Sequence, residues 1–238
     1  MRTGGTFYRK LIVRVCSRVR QSILAAAIAF TASACGSGGT PQSVFSSASS
    51  DLGGVISDEP RSALIGRDIL SSGGNAVDAA VATYFALSVT YPGAASLGGG
   101  GICMVFRGRK EDVEAIDFRT QLFEKDGKIA MIPGAVRGMF ALHARYGRLK
   151  WEALLLPAER LARFGNSVSR AFARRLAGVP PRQLMGSAVR RLFFPSGEKA
   201  GEGHFLSQLE LSASLSRIRL YGPGGFYAGD FAKQLAHG

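Results

Sequence analysis

Histidine and cysteine are scarce in this chain, three of each among 238 residues. His143, His204 and His237 lie far apart, and no Cys/His spacing matches a metal site. No Ser-His-Asp set and no neighbouring Cys and His are evident, so those routes to an activated nucleophile have no support. No cofactor or metal is therefore expected. Acidic residues are also few, 17 against 30 Lys and Arg, for a net charge of +13. No apolar run approaches the ~20 residues that span a bilayer as a helix. The four glycines Gly98–Gly101 are not followed by Lys-Ser/Thr, and a strand rather than a helix is expected after them. A phosphate-cradling loop is disfavoured on both counts, and close packing beneath a neighbouring strand is the expected use.

What is present begins with a basic, then apolar, N-terminus. Residues 1–34 hold six basic residues and no acidic one, so the net charge of +13 falls to +7 without them. The basic part ends at Arg20, and the apolar run Ile23–Phe30 leads through small residues to Ala32-Ser33-Ala34-Cys35. This is the form of a secretory signal. Small residues before a cysteine resemble a bacterial lipoprotein processing site, with Cys35 lipidated and becoming the new N-terminus. Ala32 stands where that pattern more often has Leu. An ordinary signal cut near Ala34 remains the alternative. Either way the chain is expected to be exported: periplasmic, or anchored in the outer membrane through its lipid. Residues 35–50, rich in Ser and Gly, read as a flexible tether. Ordered structure is expected over 51–238, in one domain.

Cys16 lies in the signal and Cys35 at its end, which leaves Cys103 without an internal partner. It sits in Ile102-Cys103-Met104-Val105-Phe106 and reads as a small buried hydrophobe.

The centre of the pattern is Ser71–Ala82. Gly73-Gly74 stop one helix, Asn75 caps the next, and Asp78 places a carboxylate in its positive first turn. Ala76–Val89 is apolar on every side, as a helix buried on every side requires. Before it, Gly53–Ser57 reads as a short strand, and Pro60 opens a helix with Ile65 and Ile69 on one face. After it, Ile102–Phe106 and Val113–Phe118 read as a hairpin, and residues 123–130 as a charged loop. Helices follow near Ala135–Tyr146, from Trp151 with Pro157 as a kink or break, and from Ser167 or Ser169. A further helix is expected over Leu206–Leu220, then a loop at Gly222–Gly225 and a last helix capped by Asp230. Residues 170–191 carry Arg170, Arg174, Arg175, Arg182, Arg190 and Arg191. Without aromatic interleaving or a binding motif this is a solvated face, not a nucleic-acid surface.

Several of these motifs occur together in one family. Gly73-Gly74-Asn75-Ala76-Val77-Asp78-Ala79-Ala80-Val81-Ala82, then Gly98–Gly101, then Ile116-Asp117-Phe118-Arg119 resemble the large-subunit start of γ-glutamyltransferases. The likeness continues through Ile132-Pro133-Gly134-Ala135-Val136, Arg145–Trp151, Leu156-Pro157-Ala158 and Gly222–Tyr227, and so covers roughly residues 51–238. The family implies an α+β class, the αββα sandwich of N-terminal-nucleophile hydrolases, of which only the N-terminal portion is present. It implies γ-glutamyl substrates such as glutathione. It also implies that Arg119 holds the substrate α-carboxylate, for which a planar fork of donors is suited. Without the resemblance Arg119 reads as a solvated or structural arginine at a strand end. The family usually follows this Arg with Glu and soon with Ala-Pro; here Thr120, Gln121 and Leu122 stand instead.

The family's nucleophile is a threonine exposed by autocatalytic cleavage far downstream, acting through its own α-amine. Thr83, Thr90 and Thr120 lie in no such context, so no catalytic residue is identified. Two readings follow. One is the front part of a γ-glutamyltransferase, inactive without a small-subunit half. The other is a non-catalytic, lipid-anchored envelope module that binds a γ-glutamyl ligand or a partner.

Overall fold

The computed structural model describes residues 53–108, 112–125, 127–184 and 186–237. The expected signal, Cys35 and the tether lie outside the described residues. Helix α1 spans Pro60–Ser71 and α2 spans Ala76–Thr90. Eleven of the fifteen α2 residues are buried, as its all-round apolar sequence requires. Asn75 Oδ1 accepts the Val77 and Asp78 amides at 3.0 Å, and Asp78 Oδ2 accepts the Asn75 amide at 3.0 Å. That reciprocal cap ties down the start of the helix.

Strands β1 (Ile102–Arg107) and β2 (Asp112–Asp117) form an antiparallel hairpin pairing Ile102 with Asp117 and Arg107 with Asp112. Strands β3 (Gln121–Lys125) and β4 (Lys128–Ile132) form a second. Helix α3 is Ala135–Tyr146, α4 Trp151–Phe164, α5 Arg170–Gly178, α6 Ser187–Phe193 and α7 Leu209–Tyr221. The short pair β5 (Asn166–Ser167) and β6 (Phe205–Leu206) closes the loop between α4 and α7. The one-turn α8 (Gly224–Tyr227) and α9 (Gly229–His237) end the described chain.

The core is helical. Phe85 and Val81 of α2, Leu142 of α3, Leu154 and Leu155 of α4, and Leu215 and Ile218 of α7 are fully buried together. Trp151 packs edge-on to Phe85 and Phe140, with ring centroids 5.6 and 5.1 Å away, and donates Nε1–H to the Ile218 carbonyl at 3.0 Å. Two buried polar pairs link distant segments: Ser62 Oγ lies 2.8 Å from Thr90 Oγ1, and Gln208 Nε2 donates to the Val89 carbonyl at 2.8 Å. Burying such groups without partners would be costly.

Several expectations need correction. Gly53–Ser57 forms no strand. Residues 123–130 are not a loop but most of the β3–β4 hairpin. Their charges cluster near its turn, which hid the strand-forming Leu122, Phe123, Ile129 and Met131 on its arms. Pro157 does not break α4, which runs unbroken from Trp151 to Phe164. The lost hydrogen bond is outweighed by the burial of Leu154, Leu155, Ala158 and Ala162 around it. The α7 helix starts at Leu209 rather than Leu206, and the Gly222–Gly225 loop already enters α8.

Candidate functional site

Asp117 ends β2, and Phe118 and Arg119 follow where the chain leaves the hairpin. Phe118 is held on both sides. Its amide donates to the Gly101 carbonyl at 2.9 Å, and the Gly101 amide donates back at 3.4 Å. The glycine run thus packs beneath this stretch, as the sequence suggested. A Cβ at Gly100 would lie 2.5 Å from the Thr120 nitrogen, and one at Gly138 of α3 would lie 2.1 Å from the Phe118 ring. Side chains at either place would push the 118–120 segment off its support. The Gly99 carbonyl also accepts the Gly134 and Ala135 amides at 3.0 Å, which joins the run to the start of α3.

An open cavity of about 730 Å³ forms where these segments meet. Asp117, Arg119 and Thr120 line one part of it, and Pro133, Gly134 and Arg137 another. Arg119 is exposed, and its guanidinium is gripped by Asp117. Nε lies 3.1 and 3.0 Å from the two carboxylate oxygens, and Nη2 lies 2.7 Å from Oδ2. Asp117 Oδ1 also accepts the Arg119 amide at 3.0 Å. The Arg119 side-chain bond holds the Asp117 carboxyl below its ordinary value, and the same bond raises Arg119. Asp117 occupies the Nε–Nη2 edge. Nη1 makes no hydrogen bond among the described residues, so the Nη1 side of the fork keeps free donors.

Arg137, which also lines the cavity, sits in the first turn of α3 with its guanidinium carbon 4.8 Å from the centre of the Tyr227 ring. The Tyr227 hydroxyl donates to the Pro133 carbonyl at 2.8 Å and accepts the Arg137 amide at 3.3 Å. Burial pushes its phenol up from the ordinary value. Asp117, Arg137 and Tyr227 escaped the sequence reading as members of this site. Asp117 stood inside a recognised motif, and Tyr227 in another 90 residues beyond Arg137. Nothing in the sequence joined the two.

Two of the threonines are structural. Thr83 and Thr90 are buried in α2, and the Thr90 hydroxyl donates to the Ala86 carbonyl at 3.1 Å. Thr120 lines the cavity. Cys103 is half-buried against the core, and burial pushes its thiol up, away from reactivity. No group of His, Cys, Asp and Glu suited to a metal occurs among the described residues. None of their helices is long and apolar enough to cross a membrane.

The model of the gamma-glutamyltranspeptidase family matches residues 62–238. The chain belongs to the gamma-glutamyltranspeptidase family. It is 35% identical over 190 residues to glutathione hydrolase 7 of Bos taurus, covering 74% of this chain and 28% of that protein. It is 35% identical over 222 residues to the glutathione hydrolase proenzyme of Escherichia coli, covering 83% and 38%. The crystal structure of Helicobacter pylori gamma-glutamyltranspeptidase superposes with a TM-score of 0.70 at 33% identity, over 77% of this chain and 58% of that one. The fold is that of the N-terminal-nucleophile hydrolases, in the portion that starts the large subunit. The chain spans about a third of the length of the curated relatives it matches. Within this gamma-glutamyltranspeptidase portion, the Asp117–Arg119 pair lies on the wall of the cavity.

Proposed function

We propose that this chain supplies the donor-binding part of a glutathione-hydrolase or γ-glutamyltransferase site, with Arg119 taking the α-carboxylate of a γ-glutamyl compound such as glutathione. One observation carries the reading. Arg119 lines an open cavity with one guanidinium edge fixed by Asp117 and the other without a protein partner among the described residues. A planar fork held in this way accepts a carboxylate with little loss of side-chain freedom.

Hydrolysis also needs a nucleophile, a base and donors for the developing oxyanion. The described residues offer none, so a second polypeptide half carrying them is part of the proposal. The outward faces of the hairpins support it. Met104, Phe106, Val113, Leu122 and Met131 are exposed there, and apolar sheet faces of this kind normally pack against another layer.

The test is complementation. The 238-residue chain by itself is expected to turn over no γ-glutamyl anilide. With the downstream half of a close relative supplied, turnover should appear. Arg119→Ala should then lower kcat/KM by about ten- to a hundredfold, since each factor of ten is about 1.4 kcal/mol. Arg119→Lys should recover only part, because a point charge replaces a fork. A complemented enzyme indifferent to Arg119→Ala would refute the assignment.

The proposed setting is the bacterial envelope, with Cys35 lipidated and residues 36–50 as tether. The basic and apolar segments before Cys35 support this. Stable anchoring needs more than one acyl chain, as such processing supplies. Metabolic labelling with a fatty-acid analogue tests it: equal label in the parent and in Cys35→Ser would remove the anchor from the proposal.

A further inference from the structure

The cavity beside Arg119 holds a second arginine with different surroundings. Asp117 neutralises Arg119 at close range. Arg137 has no Asp or Glu within 4.0 Å of its guanidinium among the described residues. The lining therefore carries two positive charges against one negative. Arg137 is also placed rather than free. Its guanidinium lies over the Tyr227 ring at 4.8 Å, and that ring is anchored through its hydroxyl to Pro133. Stacking engages the flat face of a guanidinium and leaves its N–H edges available.

The backbone cannot do the same work. At the start of α3 the Gly134 and Ala135 amides are already given to Gly99, and the Arg137 amide to Tyr227. A carboxylate on this side of the cavity would have to be met by the Arg137 side chain.

We propose that Arg137 is a second carboxylate-binding point of the cavity, so that the favoured ligand is a γ-glutamyl compound whose other end also carries a carboxylate. The proposal rests on the Arg119 reading above and adds a substrate class to it. γ-Glutamyl peptides with a free C-terminus fit it; γ-glutamyl amides and esters of such peptides lack the second anion.

Two probes differ at that one group, namely glutathione and its monoethyl ester at the glycine carboxylate. Affinities are measured by titration calorimetry on the full chain in a mild nonionic detergent, which covers the exposed apolar faces. The parent should bind glutathione about tenfold more tightly than the ester, a factor expected for one charged contact of modest strength. Arg137→Ala should bring the ratio of the two affinities to about one, and Arg137→Lys should keep part of it. Arg119→Ala should weaken both probes together and keep the preference. Equal parental affinity for the two probes overturns the Arg137 proposal alone, provided Arg119→Ala still weakens both. So does a preference that survives Arg137→Ala; the uncompensated charge would then serve a carboxylate on the polypeptide that covers the hairpins. Failure of the parent to bind either probe overturns the Arg119 reading and this proposal with it.

Discussion

The helices around α2 and the two hairpins are built from equally apolar sequence, yet one region hides it and the other presents it to solvent. Phe85, Leu154 and Leu155 have no exposed surface, whereas Met104 and Leu122 are 71% and 74% exposed. Cys103, Val105 and Ile116 pack one face of the first hairpin against the core, while Ile102, Met104 and Phe106 alternate with them outward. In the second hairpin the neighbouring residues Leu122 and Phe123 are both exposed, although successive side chains in a strand point to opposite faces. The helices around α2 thus close a core of their own, although Phe164, Leu209 and Tyr221 stay exposed on their outer faces, and the strand layer is finished on one side at most. Mutations of equal size should therefore have unequal effects in the two regions.

The largest effect is expected in the helical layer. Phe85→Ala or Leu154→Ala should cost about 3–5 kcal/mol, because each empties a site closed on all sides. Urea midpoints check this. Met104→Ala should move the midpoint far less, and an equal shift would mean that the hairpin face is covered.

Asp78→Ala comes next. The fully buried Asp78 carboxylate accepts the Arg148 amide at 3.0 and 3.1 Å and the Leu149 amide at 3.2 Å, besides capping α2 through Asn75. Losing these charge-assisted bonds should cost about 3 kcal/mol, and Asp78→Asn somewhat less. Amide exchange should quicken first at Arg148 and Leu149. Uniform quickening across the helices would place the loss elsewhere.

Met104→Lys and Leu122→Lys should change stability by no more than about 0.5 kcal/mol. They should still lower self-association of the full chain, seen by light scattering, because they place charge on an apolar sheet face. A destabilisation comparable with Phe85→Ala would show that the two regions do not differ.

The smallest effect concerns pH. Asp117 is held below its ordinary value by Arg119. A depressed carboxyl contributes its stabilisation fully above the unfolded value, about 3.9. The contribution is lost only as pH falls through the lower, folded value. The Asp117–Arg119 contact should therefore persist unchanged from neutral pH down to about pH 5. Carboxyl NMR shifts check it: an Asp117 midpoint at or above that of a model peptide would contradict the clamp.

The legible parts of this molecule were those set by neighbours in sequence. The Asn75–Asp78 cap, the all-apolar α2 and the first hairpin each follow from spacing within one element, which polypeptide geometry converts directly into structure. The second hairpin was missed because charges near its turn masked the alternation on its arms. The unbroken course of α4 was missed because a proline's local cost was overruled by burial. Arg119 was singled out through a motif, but the sequence was silent on Asp117 as its ion-pair partner.

By itself, the sequence determined the family, the order of most elements and the arginine at the end of β2, since these rest on local patterns of residue type. Only the tertiary structure decided that the Asp78 carboxylate reaches Arg148 as well as Asn75, that Phe118 is pinned between the glycine run and α3, and that Arg137 shares a cavity with Arg119 while resting on Tyr227. These contacts join residues far apart in the chain. Their energies depend on distances that exist only once the helices have packed, and no local pattern of residues encodes them.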